Sequence, residues 1–213
     1  MIKIRNNVFE TNSSSSHCLV YSKANPDRVD YNSLEINNGL LTINLRTFGW
    51  SGPEELGDLL ADANSKLDYI ATYFLHHLNW ELANDDESYI SYERASELNL
   101  IDTVLDVDNF ESLINEIKKV RPDFNEFEIV LNEDGDAFGE IDHQSQDLLD
   151  HLTIDEVVNK VLFNKGCIIV IDNDNSCYYT DFNPMLKPGL NKQSWFGEDN
   201  SYTYNITEAD FEE

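Results

Sequence analysis

Ser65-Lys66-Leu67-Asp68-Tyr69-Ile70-Ala71-Thr72-Tyr73-Phe74-Leu75 opens the stretch whose reading decides the fold. Leu67, Ile70, Ala71, Phe74, Leu75, Leu78 and Leu82 recur at three- and four-residue steps, the period of a helix with one apolar face. Tyr69, Tyr73, His76, His77 and Trp80 widen that stripe, so the spacing predicts a central helix running on to Leu82. The adjacent pair His76-His77 points in directions about 100° apart on a helix and reads as core and boundary, not as metal ligands.

The elements around this helix mix strands and helices without regular βαβ alternation. Residues 2–5, 8–10, 17–21 and 40–45 read as strands, the last alternating Leu41, Ile43 and Leu45 with Thr42 and Asn44. Ser51-Gly52-Pro53-Glu54 resembles a capping box for a helix carrying Leu56, Leu59, Leu60 and Ala63, with a fresh start at Ser65. Asp108-Asn109-Phe110-Glu111 opens a helix with Phe110, Leu113, Ile114, Ile117 and Val120 on one face, stopped by Pro122. Residues 127–131 and 137–141 read as a hairpin about Asp134-Gly135. Residues including Leu148, Leu149 and Leu152 read as a helix for which Asp142 is a candidate cap, the alternative to its orienting His143, and Thr153-Ile154-Asp155-Glu156 caps another that ends near Gly166. Residues 167–172 and 177–181 read as a second hairpin, 183–197 as a loop, and 202–206 as a last strand. The expected class is α+β: antiparallel strands and hairpins packed with four to five helices. It forms one domain over residues 1–206, with an acidic tail at 207–213.

Charge narrows the function. The chain has 41 Asp and Glu against 14 Lys and Arg, a formal net charge of −27 over 213 residues. Phosphate binding needs clusters of Lys and Arg, so no direct nucleic-acid binding is expected, and anionic membranes are disfavoured likewise. No apolar run approaches the roughly 20 residues that span a bilayer, and the N-terminus lacks a signal-peptide core. The expected location is the cytoplasm. Cys18, Cys167 and Cys177 contain no CxxC spacing, so a structural zinc site is not expected, and no other metal and no cofactor is expected either. A strongly negative surface steers a protein toward basic surfaces on other proteins. The acidic candidates for such contact are Asp85-Asp86-Glu87, Glu133-Asp134 and Asp136.

Two polar segments carry chemistry-bearing residues. Thr11, Asn12, Ser13, Ser15 and His17 lie in Phe9-Glu10-Thr11-Asn12-Ser13-Ser14-Ser15-Ser16-His17. The segment admits three readings: a self-satisfied turn, an anion- or nucleotide-binding loop, or a hydroxyl nucleophile activated by His17. In an extended chain Ser15 and His17 share a face, whereas Ser16 does not. Asp142-His143-Gln144-Ser145 follows the first expected hairpin, where an Asp beside a His can orient an imidazole. Asp172-Asn173-Asp174-Asn175 lacks the glycine and distal glutamate of a calcium loop.

The stretch Asn7-Val8-Phe9-Glu10-Thr11-Asn12-Ser13-Ser14-Ser15-Ser16-His17 resembles the opening of a group of uncharacterised bacteriophage and prophage proteins. Phe48-Gly49-Trp50, Asp142-His143-Gln144-Ser145 and Asp172-Asn173-Asp174 are similar to later parts of that group. The resemblance implies a phage or prophage source and gives residues 11–17 and 142–145 weight as one polar site. With the acidity, it points to a binding protein that inhibits a host defence or nucleic-acid-processing protein, with charge mimicry of nucleic acid as the physical means. The other expectation is an enzyme or small-nucleotide binder built on the same polar residues.

Overall fold

A computed structural model describes residues 15–22, 27–49, 59–83, 88–141, 146, 148–173, 194–197 and 203–205. The expected strands at 2–5, 8–10 and 177–181, and the acidic tail, lie outside these residues.

The larger sheet is built on β1 (Ser15–Ser22) and β7 (Cys167–Asn173). Its order is β4-β7-β1-β8-β9, with β4 at Leu59–Leu60, β8 at Ser194–Gly197 and β9 at Thr203–Asn205. β1 and β7 run antiparallel with His17 opposite Ile171 and Leu19 opposite Ile169. The inward residues Leu19, Tyr21, Ile169 and Ile171 are buried, as a sheet with a packed face requires. Residues 194–197, expected in a loop, form a strand because β1 offers its other edge to them.

The expected hairpin architecture is corrected by two parallel pairs. β2 (Leu40–Asn44) pairs in parallel with β5 (Glu126–Val130), and β3 (Thr47–Phe48) in parallel with β6 (Glu140–Ile141). The Asp134-Gly135 turn therefore does not fold β6 back on β5. Residues 131–139 make an excursion, closed by Asn132 N–H donating to Ala137 O at 2.9 Å and Gly139 N–H to Asp136 O at 2.7 Å. The chain then resumes its former direction beside β3. Gly139 permits this: its φ is +69°, and a Cβ there would overlap the Arg46 carbonyl. β7, expected to pair with 177–181, takes β1 and β4 as described neighbours.

The helices depart from expectation at their ends. α1 (Ala63–Leu75) begins after Asp62, whose side chain accepts from Ser65 N–H, so Ser65 lies inside it. The long helix expected through Leu82 breaks at His76-His77, and α2 (Leu78–Glu81) follows. Asn79 accounts for the break. Its buried amide donates to Gly139 O at 2.6 Å and accepts from Phe138 N–H at 3.0 Å, drawing that turn onto the 131–139 excursion. α3 (Tyr92–Ala95) and α4 (Leu100–Leu105) were not expected; they lead into α5 (Asp108–Val120). α5 buries Phe110, Leu113, Ile114 and Ile117, as its period predicts. Arg121 ends it, forking onto Asp123 at 2.8 and 2.9 Å while donating to the carbonyls of Tyr31 and Leu34. Residues 148–151 form a turn, not the expected helix. α6 (Ile154–Glu156) has both halves of the Thr153–Glu156 capping box and widens into a π-helix over Val157–Leu162. That makes six α-helical segments among the described residues, above the four to five expected.

One buried cluster joins these elements, with Leu41, Ile43, Ile70, Phe110, Phe138 and Ile169 among its members. Among the described residues, no helix is long and apolar enough to cross a membrane.

Candidate functional site

His17 is the one residue of the N-terminal polar segment whose side chain the structure describes. Strand β1 delivers it to the sheet face that meets α1, where it is buried. Its Nδ1 lies 2.8 Å from the Tyr69 hydroxyl, with the two rings edge to face at 5.6 Å. A hydroxyl at Nδ1 fixes the orientation of an imidazole, the arrangement an orienting partner gives to a general base.

Tyr69 is the first of an aromatic column along α1. Phe48 meets it edge to face at 5.0 Å, and Tyr73 stacks below it at 6.4 Å. Tyr73 in turn donates to Gln146 O at 2.6 Å, contacts Asp150 Oδ1 at 2.9 Å and accepts from Leu149 N–H at 3.2 Å. Gln146 reaches back to donate to Ile141 O at 3.2 Å. Phe48 is paired with Ile141 in the β3–β6 ladder. The column thus ties His17 to the described residues on both sides of 142–145.

Thr11, Asn12, Ser13, Asp142, His143, Gln144 and Ser145 lie outside the described residues, as do Asp85, Asp86 and Glu87. Ser15 is placed by its backbone opposite Asn173. Glu133 and Asp134 are exposed on the 131–139 excursion. Asp136 differs from them. It is half-buried, its backbone oxygen accepts from Gly139 N–H and the Asn132 amide, and burial pushes its carboxyl pKa up.

Four polar residues that hold the fold went unassigned in the sequence. Lys66, 1% exposed, donates to Val161 O at 3.1 Å and Asn164 O at 2.8 Å, at the end of the π-helix. Burial lowers its pKa from 10.5 to about 8. Asp68 accepts from Asn44 N–H at 2.8 Å and from the Arg46 guanidinium at 3.0 Å, while burial holds its carboxyl pKa above the ordinary value. Asn79 and Arg121 complete the set. Lys66 and Asp68 interrupt the apolar face of α1, and that interruption was the available signal.

The paired histidines diverge. His76 is buried edge to face against Trp80 at 5.3 Å; its Nδ1 finds no partner among the described residues, and burial lowers its pKa to about 4. His77 is half-exposed, with Nε2 4.0 Å from Glu81 Oε2. Among the described residues no group of three His, Cys, Asp or Glu side chains is placed to hold a metal ion. Cys167 is buried.

The described cations are largely held at short range. Lys119 meets Glu116, Lys160 meets Glu156 at 2.8 Å, and Lys165 meets Asp30 at 2.7 Å, besides Arg46 with Asp68 and Arg121 with Asp123. Comparison with protein-family models, with curated proteins and with solved structures finds no match to this chain.

Proposed function

We propose that this chain is an acidic binding protein of bacteriophage or prophage type that acts in the host cytoplasm. It docks on a basic surface of a host defence or nucleic-acid-processing protein and inhibits it, its carboxylates standing where nucleic-acid phosphates would bind. The observation that carries this reading is the excess of 41 acidic over 14 basic residues. The ion pairs of Arg46, Lys119, Arg121, Lys160 and Lys165 support it, because cations engaged at short range leave the surplus carboxylates to set the outer field. Exposed Glu126, Glu128, Glu133 and Asp134 extend that field along β5 and the excursion after it.

Affinity capture from bacterial lysate, at low and high salt and with excess duplex DNA, tests the proposal. A DNA- or RNA-handling protein retained at low salt and displaced by both salt and DNA is the expected result. Capture that ignores salt and DNA contradicts it.

A second reading, an enzyme or small-nucleotide binder, is favoured by the 2.8 Å contact of His17 Nδ1 with Tyr69. A panel of nucleotides screened by thermal shift tests it. Stabilisation by one of them, lost in His17→Gln but not in Glu133→Gln, supports that reading, and no stabilisation by any removes its basis.

A further inference from the structure

Among the described residues, β5 is paired along one edge alone. Glu126 N–H donates to Gly39 O at 3.1 Å and Val130 O accepts from Leu45 N–H at 2.9 Å, so the backbone groups of Glu126, Glu128 and Val130 face β2. Those of Phe127 and Ile129 face the other way, where the sheet has no third strand and no described residue bonds to them. The far side of β2 is treated differently. There α1 closes the edge, with Asn44 N–H donating to Asp68 Oδ1 at 2.8 Å and Arg46 N–H to Thr72 Oγ1 at 3.4 Å. Edge strands are ordinarily blunted by Lys, Pro or a bulge. β5 has none of these: it reads Glu126-Phe127-Glu128-Ile129-Val130, in one-to-one register with β2. Its side chains alternate. Glu126, Glu128 and Val130 are exposed, whereas Phe127 and Ile129 are half-buried, with Phe127 edge to face against Phe110 of α5 at 5.9 Å.

We infer that the free edge of β5 takes an extended segment of a basic protein partner as the third strand of this sheet, a segment in which Lys or Arg alternates with apolar residues. The inference rests on the acidic-binder reading and names its contact surface. Backbone pairing with Phe127 and Ile129 supplies attraction that is blind to sequence, and the alternation supplies selection. On an added strand, every second side chain lies beside Glu126 and Glu128 on their face of the sheet, where opposite charges attract across strands. The intervening side chains fall beside Phe127 and Ile129, on the face that meets α5, where apolar groups extend the half-buried row. A second copy of this chain is the wrong occupant. An antiparallel pair centred on Glu128 sets that carboxylate against its own copy, and a parallel pair in register does so at both Glu126 and Glu128. Two surfaces of −27 add to the repulsion.

The test is a nuclear magnetic resonance titration of the full chain with three terminally blocked peptides. One alternates lysine with isoleucine, a second has the same composition with its lysines in one block, and the third is the alternating peptide N-methylated along its backbone, which keeps the charge and removes the donors. The expected result is a saturable shift of the Phe127 and Ile129 amides, with slowed hydrogen exchange at both, for the unmethylated alternating peptide alone. Glu126→Gln/Glu128→Gln should weaken that binding by about fivefold or more. Glu133→Gln/Asp134→Asn changes net charge equally and should leave it unaltered. Equal binding of the methylated or blocked-lysine peptide, equal weakening by the two charge variants, shifts scattered over the whole surface, or no binding overturns the inference. Slow exchange at Phe127 and Ile129 before any peptide is added overturns it too: constant with protein concentration, it assigns the edge to residues of this chain, and rising with concentration, to a second copy. Circular dichroism of each variant confirms that it is folded. Salt- and DNA-sensitive capture of a basic host protein, undiminished in Glu126→Gln/Glu128→Gln, overturns this contact surface while leaving the acidic-binder reading standing. Peptide pairing on β5 without such capture does the reverse.

Discussion

α1 and α5 are each 13 residues long and treat charge in opposite ways. All of α1 except Asn64 and Ser65 is buried, so Lys66 and Asp68 lie inside the protein and each is met there by named partners. α5 buries one face and turns the rest outward, with Asp108 and Glu111 in its first turn and Lys118 and Lys119 in its last. Those positions complement the helix dipole but leave the charges in water. The difference teaches that each of these interior charges is met by hydrogen-bonding partners, whereas the sequence as a whole carries carboxylates in excess. Interior charges act on stability, and surface charges act on the field outside the protein.

The sharpest break of that contrast is Lys66→Ala, which strands two buried carbonyls and opens a cavity; a loss of about 3–5 kcal/mol is expected in chemical denaturation. Lys66 also sets a pH dependence. Below about pH 8 its ammonium is charged in both folded and unfolded chains, and the cost of burying it stands in full. Between about 8 and 10.5 the folded chain has released the proton and the unfolded chain has not, so this residue makes stability rise with pH. Lys66→Met should remove that rise, and a slope unchanged in the variant would contradict the assignment.

Asn79→Ala should cost about 2–3 kcal/mol, because Gly139 O and Phe138 N–H both lose their buried partner. Thermal unfolding reads this directly, and a loss below about 0.5 kcal/mol would mean that the excursion does not depend on the clamp.

His76 gives a smaller effect with a defined pH window. Its folded pKa of about 4 lies below the ordinary 6.5, so the unfolded chain takes up a proton first as pH falls. Stability from this group is whole above 6.5 and is lost as pH drops toward 4. His76→Gln should flatten the decline measured between those values.

Outside the core, Lys119→Ala removes a pair with Glu116 and should change stability by under about 0.5 kcal/mol in the same assay. A larger loss would erase the distinction between matched interior and solvated surface.

The two helices also show what was legible in the sequence. α5 was legible because a one-sided period of 3.6 marks a helix whose other face is wet. The start and end of α1 were not, since Asp62 caps it locally while Asn79 answers to residues far along the chain. The Asp134-Gly135 turn was visible as a turn, but its direction depended on Gly139 lying against Arg46 and on Asn79. α3 and α4 span four and six residues, too short for a period to register. At the site, His17 stood out as a polar residue entering a strand, yet its partner Tyr69 lies 52 positions away and read only as part of an apolar stripe. Net charge was readable as a count; which carboxylates share a face depends on how the helices and strands meet.

The central claim is that the surplus carboxylates exist to meet a basic protein surface. The most direct measurement is the association rate constant of the whole chain with a basic protein recovered by the affinity capture proposed above, followed from low to high salt. The account predicts fast association that slows by about tenfold or more as salt screens the field. A rate that stays constant across that range would contradict it.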